Sequence, residues 1–280
     1  MPASVRRPRR DTPRAARRRG PSVVVWIVAA LGLALLVLPL VAVLIRTPWA
    51  ALGGLVARGD VLQALGLSLL TAAISTALCL VLGVPLAIVL ARAESWPAVP
   101  RRLLRAAVTI PMVLPPVVGG IALLMLLGRS GVLGGALAAV GVTIPFTTGA
   151  VVIAQTFVAM PFLVFAVEGA LRASDRRAEA AAATLGARPL QVFRFVTVPS
   201  VAPGIAAGAV LCFARALGEF GATITFAGSF PGTTRTLPIA SYLALESDPD
   251  EAIAIALVLI AVSVAVLLTL RDRWLPGVRG

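Results

Sequence analysis

FARALGEFGATITF, residues 213–226, sits in an apolar run long enough to cross a membrane, yet carries Arg215 and Glu219 in its middle, four residues apart. A charge at the centre of a helix in lipid costs roughly 2.5–3.5 kcal/mol on insertion scales. Spaced i, i+4, the two side chains share a helix face and can neutralise one another. The face they share must then point at protein or water, because ions inside spans pair with each other and avoid lipid. Two readings stay open for the pair: a structural lock between helices or protomers, or a charged station on a pathway.

The rest of the composition agrees with a membrane setting. Of 280 residues, 59% are hydrophobic and 13% charged, where a soluble domain carries about 25% charged residues. The formal charge of +13 invites a nucleic-acid reading. The arginines are not gathered on one face, however. Eight precede Gly20, and most others fall in short loops between apolar runs, which is a topology signal and argues against nucleic acid as a partner.

Two absences narrow the function. The chain has no histidine, which removes Ser-His and Cys-His nucleophile pairs and HExxH zinc sites. It also has no lysine, every basic side chain being arginine; a phosphate-binding Walker loop and a Schiff-base enzyme both need one. Any nucleotide hydrolysis must come from another chain. Cys79 and Cys212 fall inside separate apolar runs and suit small packing residues.

Residues 1–21 are rich in Arg and Pro and predict a disordered cytoplasmic tail. Six runs approach or reach the roughly 20 apolar residues a span requires: about 22–45, 65–91, 103–127, 148–171, 201–227 and 252–270. The first is too long for a cleaved signal core of about 7–15 residues, so it is expected to stay. The segment 132–146 is apolar but short and broken by Gly and Pro, which suits an interfacial or re-entrant piece. With the N-terminus inside, 20 arginines fall on the cytoplasmic side and four (Arg46, Arg58, Arg129, Arg235) outside, a strong positive-inside bias. The expectation is an all-α integral membrane protein with six transmembrane helices, both termini cytoplasmic, a permease domain over 22–271 and a short tail at 272–280. Outside, Glu246, Asp248, Asp250 and Glu251 precede the last run. They suit either a helix N-terminus or a docking surface for an external protein.

The longest cytoplasmic loop, 172–199, runs RASDRRAEAAAATLGARPLQVFRFVTVP. Ser174 is a cap candidate with Asp175 in the first turn, RRAEAAAATL is a run of helix formers, Gly186 stands where a left-handed C-cap belongs, and Pro189 can open a second short helix. Pro199 marks the start of the next span. The result is a helix–Gly–helix elbow at the membrane surface whose alanine ridge suits insertion into a groove of a partner.

EAAAATLG followed by VTVP resembles the EAA signature of permease subunits of binding-protein-dependent ABC importers. Glu179 lies seven residues before Gly186, one further than the general pattern, and Ala180 occupies the usual Glu position. IPMVLPPVVGGIALL (110–124) and ARALGEFGATITFAGSFPGTTRTLP (214–238) resemble the third and fifth spans of molybdate permeases, the ALGEFGA part being shared with sulfate permeases. The likeness covers about residues 60–270. It implies a pore between two permease chains, the second expected to be another copy, in a bacterial-type inner membrane and surrounded by membrane lipid. It further implies a cytoplasmic ABC ATPase dimer that uses ATP and Mg, and an extracytoplasmic oxyanion-binding protein. This chain is then not an enzyme and holds no cofactor or metal. The resemblance assigns Glu179, Ala181, Ala182, Gly186 and Pro199 to ATPase coupling. It places Arg215 and Glu219 beside the pore, where Arg215 attracts an oxyanion and Glu219 limits its hold, or where the two form a structural pair. Pro111, Pro115 and Pro116, in the third span, shape a gate or a helix bend. Molybdate is the expected cargo, with sulfate or tungstate as alternatives and an ion-coupled secondary transporter as a more distant one.

Overall fold

The computed structural model describes residues 22–274, so the two expected tails, 1–21 and most of 272–280, lie outside the described residues. All regular structure among the described residues is helical. The chain divides into a unit ending at Ile45 and a unit running from Arg46. The first holds all but the last residue of helix α1, Val23–Arg46, whose 24 residues rise about 36 Å, enough to cross the hydrocarbon core of a bilayer.

The second unit holds α2 (Gly59–Arg92), α3 (Ala98–Val113), α4 (Pro116–Leu127), α5 (Thr148–Ala173), α6 (Arg176–Thr184), α7 (Pro189–Leu217), α8 (Gly221–Ala227), α9 (Leu237–Ser247) and α10 (Pro249–Trp274). Five helices are long and apolar enough to span, α1, α2, α5, α7 and α10, and the bent pair α3–α4 supplies a sixth crossing if counted as one. A short helix at Gly134–Ala139 lies in the expected interfacial segment.

Helix α5 is the axis of this unit. On one side Ala159, Leu163, Val164 and Val167 are buried with Cys79, Ala87 and Leu90 of α2 and Cys212, Ala216 and Leu217 of α7. Towards its other end Ala150, Val151, Ala154 and Val158 pack with Leu123 of α4 and Phe226 of α8. Lipid tails are as apolar as leucine, so close approach through small residues, more than water exclusion, holds such helices together. Both cysteines are unbridged and buried, within the packed cluster of α2, α5 and α7.

Two expected spans are not single helices. The run 103–127 breaks at Leu114–Pro115, and α3 and α4 meet at 115°. The physical cause is the proline pair: a residue before proline is pushed out of the helical region, and Leu114 and Pro115 are both extended, with ψ 136° and 133°. Pro116 then starts α4 at a position where its missing N–H costs nothing. Pro111 stays inside α3. The run 201–227 breaks as well, because α7 ends at Leu217 and α8 begins at Gly221.

The two breaks meet. A Cβ on Gly221 would lie 2.9 Å from Pro116 Cβ, and one on Gly120 would lie 2.7 Å from Ala222 O and 2.8 Å from Thr225 Cβ. Helices α4 and α8 therefore touch backbone to backbone through glycine.

Candidate coupling elbow and intramembrane ion pair

The elbow forms as a capped helix. Asp175, not Ser174, is its N-cap: Asp175 Oδ1 accepts from Arg177 N at 2.9 Å. Ser174 instead closes α5. The carboxylate one position on reaches a free N–H group of α6, whose dipole favours its charge. At the other end Gly186 has φ +85°. Gly186 N–H donates to Ala183 O at 3.0 Å and Ala187 N–H donates to Ala182 O at 3.1 Å, the paired bonds of a Schellman cap, which requires a left-handed residue at Gly186.

Beyond the elbow the second helix is not a separate piece. Pro189 opens it and Gln191 Oε1 accepts from Arg188 N at 2.8 Å. It then runs through a wide turn at Phe193–Thr197, where Val198 N–H reaches back to Phe193 O, and continues as the body of α7. Pro199 stands two residues past that turn. A proline frees the carbonyl it cannot bond, and widening the helix by a residue absorbs the mismatch.

Ala181 is exposed and Ala182 half-buried, while Leu185, Leu190 and Phe195 expose apolar surface around the elbow. Glu179 is half-buried and turned inward: its Oε1 accepts from Thr197 Oγ1 at 2.6 Å.

The opening pair is formed, though not on one helix. Arg215 lies on the last turn of α7, and Glu219 lies in the break, its carboxylate 2.7 Å from the guanidinium. Glu219 Oε1 also accepts from Ala222 N at 2.8 Å, so it caps α8. Gly208 of α7 packs on Leu163 and Ala166 of α5, and Arg215 stands about 10 Å further along α7. Glu219 is 1% exposed and Arg215 27%, so the cation is the reachable member.

A second buried carboxylate, Glu168, was missed in the sequence. It is 3% exposed. It pairs with Arg105 of α3 and, at 2.8 Å, with Arg172 on its own helix, while Arg172 also bonds Glu94 in the turn after α2. Its signal was the same as that of the first pair, a Glu and an Arg four residues apart within an apolar run. Arg172 reads as a loop charge from sequence, which hid it.

Two hydroxyls beyond the second break are bonded to backbone. Thr225 Oγ1 donates to Gly221 O at 2.8 Å, and Thr234 Oγ1 accepts from Phe230 N at 2.8 Å. The outer acidic cluster serves helix α10: Asp248 Oδ1 accepts from Glu251 N at 3.1 Å, and Glu251 pairs with Arg58 at 3.0 Å.

The architecture is that of a transmembrane permease chain. A chain from the crystal structure of a bacterial ABC transporter involved in the import of the acidic polysaccharide alginate covers 91% of this chain and 96% of its own length, with TM-score 0.67 at 17% identity. A chain of the inward-facing MetNI methionine ABC transporter gives TM-score 0.59 at 18% identity over 75% of this chain and 93% of its own. At those identities the likeness is one of fold. The chain belongs to the family described as binding-protein-dependent transport system inner membrane component, which matches residues 83–279. Over 144 residues, 51% of this chain, it is 58% identical to the molybdenum transport system permease protein ModB of Mycobacterium bovis and 45% identical to the protein of that name from Escherichia coli. The match spans 54% of the first relative's length and 63% of the second's.

Proposed function

We propose that this chain is the pore-forming permease subunit of an ABC importer that carries molybdate into the cell, with ATP hydrolysed by a separate subunit. The observation that carries the coupling half of this reading is the elbow: a Schellman-capped helix on the arginine-rich side, presenting small and apolar side chains outward. A ridge of that kind fits a groove in a partner. The chain lacks the lysine a phosphate loop needs, so the driving energy comes from that partner. The molybdate half draws its support from the relatives at 58% and 45% identity, and from the motifs around Ile110–Leu124 and Ala214–Pro238.

This reading implies a working cycle. A cytoplasmic ATPase dimer, using ATP and Mg, closes on nucleotide and moves the elbows of two permease chains. An extracytoplasmic binding protein delivers the oxyanion at the outer face. Arg215 offers the accessible edge of its guanidinium to a tetrahedral dianion, and Glu219 holds the rest of that charge so that the anion is not trapped. The bend at Pro115–Pro116 and the break at Gly218–Phe220 place irregular backbone within the bundle, which membrane proteins tolerate where it is buried in protein or lines a cavity.

The test is reconstitution of the chain with its ATPase and binding protein in liposomes. ATP hydrolysis should rise when the binding protein is loaded with molybdate and be accompanied by molybdate uptake. Hydrolysis and uptake that respond to sulfate alone would move the cargo to the sulfate branch, and uptake without ATP would contradict the importer reading.

A further inference from the structure

We infer that Glu179 works inward, as a strut joining the elbow helix to the base of α7, so that displacement of the elbow is delivered to the fifth span. The inference rests on the coupling role proposed above and names the residues that transmit it. The bond from Thr197 Oγ1 to Glu179 Oε1 is 2.6 Å long, the length of a hydroxyl bonded to an ionised carboxylate. Thr197 is 3% exposed, so the bond is shielded on that side from competing water.

Geometry explains why the carboxylate stands at 179. A residue one position on is turned about 100° around a helix, and Ala180 there is exposed. At 179 the same side chain reaches α7. Among the described residues, this is the hydrogen bond that ties a side chain of α6 to another element; the remaining ties are the backbone links at Asp175 and Gly186 and local caps. A cleft of about 640 Å³, lined by Arg92, Glu94, Ser174, Glu179 and Thr197, separates the elbow from the turn after α2. The elbow helix is therefore not packed solidly there, and the strut bridges the edge of that space.

Thr197 is the last residue of the wide turn Phe193–Thr197. From there α7 continues to Leu217 and ends at the break that holds Glu219. Wide turns of this kind are frequent at functional sites. A pull at Thr197 thus acts on a helix whose far end carries the Arg215–Glu219 pair.

The experiment uses the chain reconstituted with its ATPase and binding protein, and reads labelled molybdate transported per ATP hydrolysed. The variants are Glu179→Ala, Glu179→Gln, Thr197→Val, Thr197→Ser, the double Glu179→Ala/Thr197→Val, and Gly186→Val. Gln and Ser keep an acceptor and a donor and should rescue most of the ratio. Ala and Val should each lower it by about tenfold or more, the range for a lost bond to a charged group. The double variant should be no worse than either single one. If Glu179→Gln is as damaging as Glu179→Ala while Thr197→Val couples normally, the carboxylate acts outward by its charge and the strut is overturned. Should Thr197→Val fail to insert, the Gln–Ala comparison at 179 decides alone: Gln well above Ala supports the strut, and equal loss overturns it. Normal coupling in all strut variants but not in Gly186→Val rejects the strut and keeps the coupling elbow, whereas normal coupling in Gly186→Val as well rejects the elbow itself.

Discussion

Glu219 is buried against Arg215 and Ala222 N, so each partner's removal has a different consequence. Arg215→Ala leaves a buried carboxylate without its counter-charge, a loss of about 3–5 kcal/mol for a buried pair. Arg215→Ala/Glu219→Gln should recover much of that, because Gln still accepts from Ala222 N and carries no charge. Thermal unfolding of the purified chain in detergent should rank parent, double variant, single variant in falling order; a single variant as stable as the parent would mean the pair holds nothing. Molybdate uptake separates the two roles: the pathway role requires the stabilised double variant to transport poorly, and full uptake by it leaves a structural lock. At Gly186 the requirement is a positive φ. A Cβ there meets nothing within 4 Å, so the penalty is conformational alone, about 1–2 kcal/mol for a residue such as Val. Asn tolerates that region, so Gly186→Asn should retain more transport than Gly186→Val at equal membrane levels. Gly186 at the end of the elbow helix and the Arg215–Glu219 pair were legible in sequence because C-capping and i, i+4 spacing are local. The partner of Glu179 was not, since Thr197 lies 18 residues away and only the fold brings it near.

Helices α4 and α8 owe their contact to the absence of side chains at Gly120 and Gly221. Gly120→Val would drive its Cβ into Ala222 O and Thr225, and overpacking of that kind costs about 1–3 kcal/mol. The expected outcome is a lowered melting temperature in detergent with normal insertion; an unchanged melting temperature would show that the two breaks are not held together there. The bend between α3 and α4 depends on Pro115 and Pro116. Replacing both by Ala permits a continuous helix, and transport should fall while the chain still inserts. Hydrophobic run length made the candidate spans legible, and the prolines marked the third as bent. The 115° angle was beyond sequence, as was the break after Leu217. Gly218 alone is an ambiguous signal in an apolar run, and it is the capping of α8 by Glu219 that stabilises a new helix start there.

For the whole molecule, the arginine distribution predicts an orientation with α6 inside and the loop before α9 outside. Cys79 and Cys212 are buried, so single cysteines introduced at Ala183 and Phe230, both exposed, report topology directly. An impermeant thiol reagent added to intact cells should label Phe230→Cys and spare Ala183→Cys; the opposite pattern would invert the molecule and remove the elbow from the ATPase. The central claim, an importer permease for molybdate, is tested most directly by uptake of labelled molybdate at low external concentration in cells lacking this chain, with sulfate uptake measured beside it. Molybdate uptake should be lost, sulfate uptake should persist and the gene should restore the loss; molybdate uptake that persists without the chain would contradict the proposed function.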